Sequence, residues 1–140
     1  MIWTKVSDEL LEILQPYSDW FFKQDLNWLE ELAKNNEKNT DTIENSCSDE
    51  YLKEIVDKDG RHIGYPEISY CYDLRRGGLP GEFQEKYQNL SKELCTWLGA
   101  RNEAVHVYYP KNGFMAWHNN WNAHGYNILL SYTKNGGGFF

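Results

Sequence analysis

From about Gly81 to Leu98 the apolar side chains recur at helical spacing. Phe83, Tyr87, Leu90, Leu94 and either Trp97 or Leu98 take one face, and Gly99 follows as a natural C-cap. The segments on either side keep a different period. Upstream, Ile68, Tyr70, Tyr72 and Leu74 alternate with Ser69, Cys71 and Asp73, which predicts a strand with one buried face, started by or lying at an edge near Pro66. Downstream, Ala104 to Tyr109 is β-branched and aromatic, as strands are. A long helix set among strands constrains the chain to an α+β class.

Residues 1–60 read as a helical N-terminal part. Ser7 is an N-cap candidate ahead of Leu10, Leu11 and Leu14, and Pro16 is expected to end that helix. Ser18 then opens a second turn, and Leu26, Leu29, Leu32 and Ala33 form a stripe of period three to four. Asn35 to Ser48, rich in Asn, Thr, Asp and Ser, reads as a surface loop, after which Ser48 caps a helix bearing Tyr51, Leu52, Ile55 and Val56. Asp57-Lys58-Asp59-Gly60 lacks the later ligands of a calcium loop and reads as a turn. Residues 61–140 form the strand-rich part, with one long helix at about 81–98. Pro110-Lys111-Asn112-Gly113 reads as a turn, Phe114 to Asn120 as extended, Trp121 to Gly125 as a loop and Tyr126 to Tyr132 as a strand.

Length and charge narrow the function. The 140 residues suit a single domain with one core. A net charge of −7 with only 14 Lys and Arg leaves no basic face for nucleic acid. No apolar run is long enough to span a bilayer, and the start lacks the pattern of a secretory signal, so the expected location is cytoplasmic. Cys47, Cys71 and Cys95 are widely spaced and read as small, partly buried thiols.

The chemistry is concentrated in residues 108–140. Along a strand through His118, Phe114, Ala116, His118 and Asn120 point one way and Met115, Trp117 and Asn119 the other. His118 and Asn120 are therefore candidates to converge on one metal ion. His106 reads instead as a hydrogen-bonded, partly buried imidazole, and His124 as a residue of a polar loop.

The order Tyr109, Gly113, His118 with Asn120, Leu129-Leu130-Ser131-Tyr132 and Gly136-Gly137-Gly138-Phe139-Phe140 resembles the iron(II)- and 2-oxoglutarate-dependent oxygenases, most closely the prolyl 4-hydroxylase-like group. The resemblance covers about residues 81–140. It implies N-terminal helices followed by a partial double-stranded β-helix, a jelly-roll-like sheet. It also implies Fe(II) and 2-oxoglutarate as cofactors, His118 as a metal ligand, Asn120 in the place of the carboxylate ligand, and Tyr108 or Tyr109 lining the 2-oxoglutarate pocket. The substrate would be a small molecule or a peptide.

The chain departs from the family at two points. Its aspartate is Asn120 here, a neutral and weaker ligand. The second histidine and the arginine that pairs with 2-oxoglutarate have no positions before Phe140, so the domain is expected to be incomplete at its C-terminus and inactive or weakly active. Unpaired strand edges would then favour a homo-oligomer. The alternative expectation is a non-enzymatic binding or assembly module on the same scaffold.

Overall fold

The computed structural model describes residues 6–57, 66–76, 79–101, 103, 106–118 and 128–133. Its elements run α1 (Asp8–Phe21), α2 (Asn27–Lys34), α3 (Ile43–Ser46), α4 (Asp49–Asp57), β1 (Ser69–Tyr70), β2 (Tyr72–Asp73), α5 (Gly81–Leu98), β3 (Val107–Tyr108) and β4 (Phe114–Met115). The fold is mixed α+β, as expected, and its described strands form two antiparallel two-stranded ladders. The chain divides into two compact units, each assembled from separate stretches of sequence. One takes residues 1–26, 74–106 and 131–140, the other 27–73 and 107–130.

In the first unit α1 packs against α5. Ser7 caps α1 as its position foretells: its hydroxyl accepts the Leu10 N–H at 3.3 Å, and Asp8 and Glu9 place negative charge in the first turn. Pro16 does not end this helix, which continues to Phe21. A proline inside a helix removes one hydrogen bond and crowds the carbonyl four residues back. Here the aromatic packing of the last turn offsets that. Trp20 lies 4.9 Å from Phe83 and Phe21 lies 5.9 Å from it, ring centre to ring centre, and the Trp20 indole donates to Glu82 at 3.1 Å. Leu10, Phe21 and Phe83 are buried, each contributing about 1.5–3 kcal/mol.

The long helix spans Gly81–Leu98, as the spacing predicts, and ends on Gly99 in the left-handed conformation at φ 62°. His106 is half-buried as expected, stacked on Tyr87 with ring centres 3.9 Å apart and hydrogen-bonded to the Tyr17 hydroxyl at 3.4 Å. Tyr132 stacks on Phe22 at 5.1 Å. The strand expected over Tyr126–Tyr132 does not form in its described residues: 128–132 pair in no ladder, and Ile128 and Leu129 are about 60% exposed. A β-rich sequence makes a strand only where an edge receives its backbone groups.

In the second unit α2 packs on β2, and Leu29 and Ala33, one helical turn apart, are fully buried. The stretch read as a loop after α2 holds α3, a single turn capped by Thr42. Ser48 caps α4 as expected, its hydroxyl accepting the Tyr51 N–H at 3.1 Å. The strand expected over Ile68–Leu74 breaks at Cys71 into β1, which pairs with β4, and β2, which pairs with β3.

The alternation in that segment is real, but the buried side is the opposite one. Ser69, Cys71 and Asp73 are buried and Ile68, Tyr70 and Tyr72 are half-exposed, while Leu74, the last of the expected face, is buried as predicted. Small side chains let neighbouring backbone approach closely. Lys38 O accepts the Ser69 N–H at 2.9 Å, and Asn36 Nδ2 donates to Cys71 O at 3.1 Å. Tyrosines need a wet end for their hydroxyls. Cys71 is buried, Cys47 and Cys95 are half-buried, and all three are free thiols.

Candidate functional site

The second unit carries the described residues of the expected site. Asn112 at φ 62° and the Gly113 N–H bonded to Pro110 O at 2.8 Å close the turn that launches β4. β4 pairs Phe114 with Tyr70 and Met115 with Ser69. Ala116 extends the ladder by one bond, its N–H reaching Ile68 O at 3.0 Å. The chain then bends at Trp117. Phe114 and Ala116 are buried, but His118, beyond the bend, is exposed. The shared face expected for Phe114, Ala116 and His118 therefore holds for the first two and ends at the bend. Asn120 and His124 lie outside the described residues.

His118 Nδ1 sits 2.8 Å from Ala116 O. A carbonyl only accepts, so Nδ1 carries the proton in this bond. In the neutral ring the lone pair is then on Nε2. That is the arrangement of a metal-ligating histidine, whose second nitrogen is held by a carbonyl or carboxylate. Among the described residues no three of His, Cys, Asp and Glu gather into a group able to hold a metal. Of the two metal ligands expected from the sequence, His118 lies among the described residues and Asn120 does not.

Tyr108 and Tyr109 stand differently. Tyr108 is half-buried and its hydroxyl donates to Glu30 Oε1 at 3.4 Å; burial, then the Glu30 charge, push its phenol up to about 12. Tyr109 is 40% exposed overall, yet burial raises its phenol as well. Both are neutral donors across the physiological range, the form suited to a carboxylate partner. A solvent-open pocket of 420 Å³ in this unit is lined by Thr42, Tyr70, Asn112 and Phe114 among others, and by none of His118, Tyr108 or Tyr109.

The spacing of residues gave no sign of the fixings around Trp117. Its backbone N–H reaches Ser46 O at 3.4 Å, its indole Nε1 donates to Ser48 O at 3.2 Å, and the Cys47 thiol lies 3.6 Å from Met115 O. Their partners, two backbone carbonyls and the Cys47 thiol, sit at the junction of α3 and α4, far away in sequence, so no local pattern announces them. No protein-family model matches the chain, and no curated protein or solved structure does.

Proposed function

We propose that this chain is a 2-oxoglutarate- and Fe(II)-dependent oxygenase-like domain of the hydroxylase type, built on a partial jelly-roll scaffold. His118 is its metal ligand, Asn120 occupies the adjacent corner, and Tyr108 or Tyr109 lies beside the cosubstrate. The observation that supports this reading is the 2.8 Å bond from His118 Nδ1 to Ala116 O, which leaves Nε2 as the ligating nitrogen on an exposed ring. When bound, ferrous iron with 2-oxoglutarate supplies the activation of dioxygen for hydroxylating a C–H bond. The chain's own contributions are the Nε2 lone pair, a neutral amide oxygen at Asn120 and phenols that stay protonated. An amide adds no negative charge beside a dication, so binding is weak and turnover low.

The second reading, a binding or assembly module on the same scaffold, draws support from that same neutral Asn120. Metal titration separates the two. Co(II), Mn(II) and Fe(II) are titrated into the chain, into His118→Ala and into Asn120→Asp, and succinate release from 2-oxoglutarate is followed in parallel. Weak binding is expected in the parent chain, loss in His118→Ala, and a gain of roughly tenfold in Asn120→Asp, where a full charge meets the ion. Equal affinity in parent and His118→Ala, or no binding by either the parent chain or Asn120→Asp, would remove the oxygenase reading.

A further inference from the structure

We infer that Trp117 is a positioning residue that sets the tautomer and aim of His118; the role this gives His118 toward a metal rests on the function proposed above. The Ala116 carbonyl and the Trp117 N–H belong to one planar trans peptide unit and point in opposite directions. That unit is held on one side: its N–H meets Ser46 O at 3.4 Å. Its carbonyl therefore faces the other way, where it accepts His118 Nδ1–H at 2.8 Å. Ser46 is fully buried, so the acceptor that holds the plane is itself fixed.

Two further bonds lock the same stretch. The indole of Trp117 donates to Ser48 O at 3.2 Å, and Ala116 N–H donates to Ile68 O at 3.0 Å. The 117 side chain is 44% exposed, so part of its ring packs and its hydrogen bond adds to that packing, and a replacement that keeps the ring shape isolates the bond. The buried junction of α3 and α4 thus acts on His118 through the peptide plane that precedes it. Without the indole bond the plane keeps only the long 3.4 Å bond to Ser46 O and the neighbouring Ala116 N–H bond, so it rocks more widely, Ala116 O loses aim, and the imidazole exchanges tautomers more readily.

The experiment reads His118 in the metal-free chain by two-bond ¹H–¹⁵N correlation spectra, together with Co(II) affinity. The variants are Trp117→Phe and replacement of the Trp117 indole by benzothiophene, which keeps shape and volume but has no N–H. Trp97→Phe is the control, an exposed tryptophan on α5. The parent chain is expected to hold the Nδ1–H form. Both Trp117 variants are expected to shift toward the Nε2–H form and to lose about tenfold in Co(II) affinity, as when the partner that orients a ligand is removed. Trp97→Phe is expected to change neither.

If the Trp117→Phe circular dichroism shows lost helix, the isosteric replacement alone is read. An unchanged tautomer in the isosteric variant, or an Nε2–H form in the parent chain, overturns the inference. Absence of Co(II) binding by the parent chain would count against the proposed function, while the tautomer comparison would still decide the role of Trp117.

Discussion

Gly113 has no room for a side chain. A Cβ there would stand 2.8 Å from both Pro110 Cδ and Tyr70 O, and 2.9 Å from Pro110 O, and two of these three atoms are backbone. Gly113→Ala is therefore expected to lower stability by about 1–3 kcal/mol and to loosen the pairing of Tyr70 with Phe114, read as a lower urea midpoint. Gly81 is the opposite case, with nothing within 4 Å of a Cβ at the first position of α5. Gly81→Ala should raise the same midpoint, by about 0.4–1 kcal/mol in stability. The turn itself was legible, because Pro-Lys-Asn-Gly carries its own chemistry. The reason Gly113 is obligatory was not, since it lies in the carbonyl of Tyr70, more than forty residues earlier. His118 was less legible. Alternation places it inside the strand on the face of Phe114 and Ala116, whereas the chain bends at Trp117 before reaching it and its tautomer depends on a peptide plane held by Ser46, in a stretch that reads as loop.

Among the elements, those defined by local signals came through. The Ser7 and Ser48 caps, the whole of α5 and its Gly99 terminus follow from spacing and capping chemistry. Elements that depend on partners did not. β1 and β2 have the period of a strand, but which side is covered depends on what packs there, and the small residues won over the tyrosines. Pro16 shows a tertiary contact overriding a local one, since α1 runs through it to deliver Trp20 and Phe21 to Phe83. The cost of that proline remains in the native state. Pro16→Ala should restore the bond to Glu12 O and raise stability by roughly 1–3 kcal/mol, less whatever the unfolded chain gains in freedom. Thermal unfolding followed at 222 nm checks this, and a lower melting temperature would mean that the proline's restriction of the unfolded chain outweighs the bond it removes.

At the scale of the whole molecule, Tyr17, Tyr108 and Tyr109 among the described residues hold their protons more tightly than a free phenol. Burial, then the charge of Glu103, raises Tyr17; burial, then Cys71, raises Tyr109; burial, then Glu30, carries Tyr108 from 10.0 to about 12. A raised folded-state value means that the folded chain keeps protons the unfolded chain has released. Stability is thus present in full below about pH 10 and is lost as pH climbs through about 12. Urea midpoints taken in steps across that window should fall, with phenolate absorbance rising as the chain unfolds; a flat profile up to pH 12 would contradict the burial of these hydroxyls. The division into two interleaved units carries a consequence for synthesis. Ser69 has its partner at Met115 and Asp73 at Val107, and the intervening chain from Leu74 to His106 belongs to the other unit. A ribosome therefore releases β1 and β2 long before it has made either partner, and no single cut of the polypeptide yields one unit whole. Nascent chains halted before Val107 should lack both ladders and be cleaved readily by protease at residues 69–73, a site that the finished protein shields.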